Sequence, residues 1–205
     1  TYTLNIGGDL EVNDATWFSI TDGDNITATV NIDGNFLMTG TTATSTYFDF
    51  HVASGGSVTL NKIILNISGN FSQSGGMFDF AYGSSDAANF TELNLGGDFS
   101  LTGTAILTTS TSDNSIANGT ITFNKSGTQT FSASTPANIS YTNFTIVNNS
   151  RLQLLSNIQL SSIGTAVWGG HLTINNGGIL DAGTNQVVSS SGASPGSNNE
   201  FILNP

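Results

Sequence analysis

Apolar and polar residues alternate in short runs along nearly the whole chain. Over residues 26–32, Ile26, Ala28, Val30 and Ile32 fall on one side, and Thr27, Thr29 and Asn31 on the other. The same alternation sets Leu93 and Leu95 against Asn94, Ile121 and Phe123 against Thr122, and Leu172 and Ile174 against Thr173. A period of two marks strands with one buried side. No sustained stretch follows the helical period, so the pattern predicts many short strands and at most incidental helix.

The strands recur as copies of one another. The motif apolar-Asn-apolar-x-Gly-Asn/Asp-apolar occurs as LNIGGDL at 4–10, VNIDGNF at 30–36, LNISGNF at 65–71 and LNLGGDF at 93–99. Looser echoes begin at Ile121, Phe144 and Leu172, so successive starts lie 26, 35, 28, 28, 23 and 28 residues apart. A second apolar stretch follows seven residues after the motif, at Trp17, Phe78 and Ile106. In the second repeat YFDF (47–50) matches MFDF (77–80) but arrives five residues late, which assigns the extra residues to a surface loop. A strand and turn of a sandwich take about 8–12 residues, whereas a unit near 28 with two or three strands makes one full coil. Coils stacked at about 4.8 Å per rung bury together what each exposes alone. The prediction is an all-β fold, a parallel β-solenoid (β-helix) of about seven coils with a period near 28 residues; a two-sheet sandwich is the alternative. Residues 1–205 read as one solenoid segment with a Ser/Gly-rich loop over 189–199. The expected core contains Leu4, Ile32, Leu65, Ile67, Leu95, Phe99, Phe123 and Ile174, with Asn5 facing out. The chain opens within the pattern on TYTLNI and closes on FILNP. The expectation is a piece of a longer chain whose sheet edges are covered by flanking coils or by identical subunits in a homo-oligomeric fibre.

Charge narrows the function classes. Three basic side chains stand against 14 acidic ones, for a formal net charge of −11. Lys62, Lys125 and Arg151 are too few and scattered for a phosphate-binding face, which argues against nucleic acid and anionic membrane surfaces. No apolar run reaches the ~18 residues of a membrane-spanning helix. Apolar residues make up 37% of the chain, too many for disorder despite the low charge, and the absence of cysteine excludes disulfide staples.

Candidate chemistry is sparse, and no catalytic residue or cofactor is assigned. Calcium prefers six to eight oxygens, so the acids of the Gly-Asp turns, Asp9 and Asp98, are metal candidates. Gly with Asn or Asp is also what a turn at positive φ selects, and stacked Asn side chains bond along a solenoid as ladders. Asp49 and Asp79 are predicted to align on adjacent coils as a carboxylate pair on the outer face, a further metal candidate. The segment DGDN (22–25) lacks the glycine and oxygen ligands that a helix-loop-helix calcium site needs. His51 and His171 lie in different repeats, and Arg151 and Lys125 have no acidic cluster near them in sequence. Trp17, Tyr47, Tyr82 and Trp168 are the candidates for carbohydrate contact. Thr-rich stretches such as TGTTATST raise ice binding, but repeat spacings of 23 to 35 argue against a regular array.

Two runs carry a family resemblance. GTITFNKSGTQTFSASTPANISYTNFTIVNNSRLQLLSNIQLSS, followed by GGHLTINNGGILDAGTNQVVSSSGASPGS, resembles the β-helical repeat regions of large bacterial surface proteins exported by type IX secretion. Those regions repeat rungs of the kind TVTFNGTGTQTI, FYNLTINN and GTLTLTNGILDTGSNTL, and the earlier LNIGGDL and LNISGNF rungs are similar to their LNIGGNF coils. The resemblance implies a secreted, cell-surface protein of adhesin or appendage type. The expectation is a non-catalytic structural or adhesive segment with surface glycans among its partners; the alternative is a carbohydrate-binding or polysaccharide-cleaving β-helix protein.

Overall fold

The structure is a computed structural model that describes residues 1–14, 17–20, 26–50, 62–80, 90–109, 119–161, 170–189 and 200–204. The predicted sites Tyr82, Trp168 and His51, the segment 22–25 and residues 190–199 lie outside these. The chain winds as a parallel β-solenoid of three-sided coils. The first coil carries β1 (Tyr2–Ile6), β2 (Leu10–Val12) and β3 (Trp17–Ser19), and the second β4 (Thr27–Ile32), β5 (Phe36–Met38) and β6 (Tyr47–Asp49). The third holds β7 (Lys62–Ile67), β8 (Phe71–Gln73) and β9 (Met77–Asp79), and the fourth β10 (Phe90–Leu95), β11 (Phe99–Leu101) and β12 (Ile106–Thr108). The fifth consists of β13 (Gly119–Phe123), β14 (Gly127–Ala133) and β15 (Ile139–Ser140), with a single 3-10 turn at Pro136–Asn138. Next come β16 (Asn143–Ile146), β17 (Ser150–Leu154) and β18 (Ile158–Leu160), then β19 (Leu172–Ile174), β20 (Ile179–Asp181) and β21 (Val187–Ser189), and finally β22 (Phe201–Leu203).

Equivalent strands pair in register from coil to coil. The first sheet runs β1-β4-β7-β10-β13-β16-β19-β22, the second β2-β5-β8-β11-β14-β17-β20, and the third β3-β6-β9-β12-β15. Eight strands at about 4.8 Å per step give the first sheet a length of about 34 Å. The motif copies fall on one another, Leu4 on Val30, Val30 on Leu65, and Leu65 on Leu93. The late YFDF also lands where its sequence match predicts, with Tyr47 on Met77 and Phe48 on Phe78. The coil count differs from seven equal turns. Five coils share all three continuous sheets, and thereafter the third side becomes a separate pair, β18-β21.

Alternation fixes what the coils enclose. Ile32, Leu65, Ile67, Leu95, Phe99, Phe123 and Ile174 are buried as expected. Leu4 is not, at 43% exposed: it points inward in register with Val30, but among the described residues only that one side of it is covered. Phenylalanines stack one per rung inside the second sheet, Phe36 on Phe71 at 5.1 Å, Phe71 on Phe99 at 5.0 Å and Phe99 on Phe131 at 5.1 Å. A second column, Phe18, Phe48 and Phe78, meets the first edge-on, as between Phe71 and Phe78 at 83°. Offset stacks and edge-to-face contacts are the favoured aromatic geometries, each adding roughly 0.5–1.5 kcal/mol beyond burial.

The glycines of the repeated motif, Gly8 of the first coil excepted, turn out to serve close contact rather than positive φ. Gly8, Gly34, Gly69 and Gly97 are absent from the left-handed region. A Cβ on Gly97 would sit 2.3 Å from the Gly69 carbonyl oxygen, and one on Gly69 would sit 2.6 Å from that of Gly34. Each coil therefore leans its corner on the corner before it. From the fifth coil this corner lengthens: the core residue after Phe123 is Phe131, whereas Phe99 follows Leu95 directly after the tight turn. Here positive φ does appear, at Gly127, Asn149 and Gly177.

Candidate functional site

Polar side chains among the described residues collect at the corner between the first two sheets, on the outside of the first sheet, in a column on the third sheet, and around a concavity on the outside of the second sheet. At the corner, Asp9 Oδ1 accepts the backbone N–H of Asn35 at 2.6 Å, and Asn35 Oδ1 accepts that of Asn70 at 2.9 Å. Asn70 Oδ1 accepts from the Asp98 N–H at 2.8 Å, and Asp98 Oδ1 from the Thr130 N–H at 2.8 Å. Both predicted calcium candidates at the turns thus use a carboxylate oxygen to tie one coil to the next. A parallel ladder runs outside the first sheet, with Asn31 donating to Asn5 at 2.7 Å, Asn66 to Asn31 at 2.8 Å and Asn94 to Asn66 at 2.9 Å.

On the third sheet Asp49 and Asp79 stand on adjacent rungs, as their sequence match predicts. Their exposure does not follow the prediction, because both are 0% exposed. They belong to a polar column, Ser19, Asp49, Asp79, Thr108 and Ser140. Trp17 Nε1 donates to Asp49 Oδ2 at 2.6 Å and Ser19 Oγ donates to Asp49 Oδ1 at 2.6 Å, so each oxygen of this carboxylate has a partner. Asp79 is also partnered. Alternation alone puts Asp49 on the outward side of β6; contacts from the neighbouring strand bury it. Among the described residues no group of three His, Cys, Asp or Glu side chains is placed to hold a metal ion.

The predicted carbohydrate contacts Trp17 and Tyr47 come together, their rings stacked with centroids 5.1 Å apart and 24° between planes. One face of each ring is covered by the other, and Trp17 remains 53% exposed. The basic residues are separated from the acid pair: Arg151 is bonded to Asp181 at 2.6 Å, and Lys62 lies 5.6 Å from the centre of the Phe90 ring. His171 Nδ1 is 3.6 Å from Glu200, too long for a hydrogen bond. The Arg151 guanidinium holds the Asp181 carboxyl below its ordinary pKa. Asp14 is held low by the backbone N–H of Thr41, with further help from the Ser45 hydroxyl.

The concavity is lined by Leu37, Thr39, Ser72, Ser74, Ser100 and Thr102, with the strand backbone at Met38 and Gln73, and encloses about 130 Å³. It forms because Leu37 gives way to the small Ser72 and Ser100 on the next two rungs.

Two buried glutamines had no sequence signal. Gln73 occupies an inward position between Met38 and Leu101 and donates Nε2 to the Gly76 and Ile106 carbonyls, each at 3.0 Å. Gln129 sits where the corner lengthens; its Nε2 donates to the Gly97 carbonyl at 2.6 Å, and its Oε1 accepts from the Lys125 N–H at 3.1 Å. It replaces the backbone donor that a tight fifth corner would have supplied. No protein-family model matches the chain, and no match is found among the curated proteins or the solved structures.

Proposed function

We propose that this chain is a structural segment of a secreted cell-surface adhesin or extracellular filament, acting as a stiff, non-catalytic rod. The observation that supports the reading most is the continuity of its cross-coil bonding. Backbone ladders, the Asn5–Asn94 amide ladder, the Asp9–Asp98 corner ladder and the phenylalanine stacks all run along one axis. Tension along that axis loads many parallel strand bonds at once, and bending must disturb close-packed rungs. A catalytic reading would need titratable groups converging in an open cleft; the acid pair found here is buried, with Asp49 bonded to Trp17 and Ser19. The sequence resemblance to type IX-exported surface proteins supplies the setting. Labelling native cell surfaces with an antibody to this segment and viewing them by electron microscopy tests the reading. Label along fibres or a surface layer is expected; label confined to the cell interior would overturn it.

A further inference from the structure

The outside of the second sheet carries chemistry that the rod does not use. Ser72, Ser100 and Ser132 occupy one outward column, one rung apart. Ser74, Thr102 and Ser134 form the next column, as the bonds from Thr102 N–H to the Gln73 carbonyl and from Ser134 N–H to the Leu101 carbonyl place them. Neighbouring hydroxyls are therefore about 4.8 Å apart along the axis and about 6.6 Å apart along a strand. Some outward polar groups, Thr39 on the rim of the concavity among them, are tied by cross-coil bonds, Thr39 to Asn13, Thr122 to Glu92 and Asn66 to Asn31. Ser72, Ser74, Ser100 and Thr102 are not: no described residue bonds their hydroxyls. They rim the 130 Å³ concavity, whose surface is mostly apolar and which Leu37 walls at one end.

We propose that this concavity binds a neutral, unbranched polysaccharide lying along the solenoid axis, which names a ligand class for the adhesive reading and rests on it. A pyranose has an apolar C–H face and a rim of hydroxyls that both donate and accept, matching a mostly apolar surface edged by Ser and Thr. The volume is well below the ~300 Å³ of an enclosed small-molecule site, so it seats one sugar unit of a chain that continues over the neighbouring hydroxyls. Charge selects against acidic glycans: the lining is uncharged, Glu11 stands in register beside Leu37 at one end, and the chain carries −11 overall.

The test is affinity electrophoresis of the 205-residue chain through gels containing mixed-linkage β-glucan, glucomannan or pullulan, with polygalacturonate as the acidic control. At least one neutral polymer should retard the protein and polygalacturonate should not. The double variant Ser72→Val/Ser100→Val fills the concavity while keeping residues that suit strands; it should weaken the interaction at least about tenfold. Thr173→Val on the first sheet should leave it unchanged. Urea midpoints confirm that both variants fold. No retardation by any neutral polymer, equal retardation by polygalacturonate, or full retardation of the double variant would each overturn the assignment. These failures leave the surface labelling unaffected, so the rod and the glycan site stand or fall separately.

Discussion

At the scale of single residues, position in the stack decides what a side chain is worth. Gly8 and Gly97 occupy the same place in the motif, yet a Cβ on Gly8 meets nothing within 4 Å while one on Gly97 meets a carbonyl oxygen at 2.3 Å. Gly97→Ala should therefore cost about 1–3 kcal/mol by overpacking, and Gly8→Ala should be neutral or slightly stabilising through the unfolded chain. Urea midpoints of the two variants check the contrast. Gln129→Leu keeps the volume but leaves the Gly97 carbonyl and the Lys125 N–H without their partner; a loss of about 1–3 kcal/mol is expected in the same assay. Asp14 gives a pH signature. Its carboxyl is held below the ordinary value, so its stabilising contribution is present above that value and fades as pH falls through the lowered one. The melting-temperature gap between the wild type and Asp14→Ala should be open at neutral pH and close in acid.

At the scale of elements, strand faces were legible in the sequence and the chemistry of corners was not. Alternation assigned Ile32, Leu65, Leu95 and Phe123 to the interior, and the repeated motif fixed their register, because a slip of one residue would turn every apolar side chain outward. The Asn ladder was likewise readable, since equal residues at equal positions must meet. Local pattern failed wherever the next coil supplied the cause. Asp49 reads as exposed on β6, but Trp17 and Ser19 of another coil bond it. Gly97 reads as a positive-φ turn, but its neighbour's carbonyl leaves no room for a Cβ. Gln73 and Gln129 satisfy carbonyls that are remote from them or hidden in tight turns, so no alternation rule finds them. The phenylalanine column is the strongest single element of the core. Phe71 lies between Phe36 and Phe99 and is fully buried, so Phe71→Ala should cost about 3–5 kcal/mol, against far less for the half-exposed Phe201.

At the scale of the whole molecule, stability is graded along the axis. The middle coils have neighbours on both sides and contain the two phenylalanine columns. The outermost described strands, β1 and β22, have one neighbour each and present the exposed Tyr2, Leu4, Phe201 and Leu203. Hydrogen exchange should be slowest in β7, β8, β10 and β11 and fastest in β1 and β22. Uniform protection along the chain would contradict this nearest-neighbour picture.

The corner glycines make the length of the rod a modular quantity. Because Leu65 and Leu93 occupy equivalent places on adjacent rungs, excising residues 65–92 joins one coil to the start of another without altering the tight turn. Gly97 would then rest on Gly34 as Gly69 does now. The shortened protein should fold, lose about one rung, or 4.8 Å, of height, and retain most of its melting temperature. A gene encoding such units can lengthen or shorten its product by duplication and loss of whole coils, while insertions of other sizes fall in the loops outside the tight corner or, from the fifth coil on, in the lengthened corner itself.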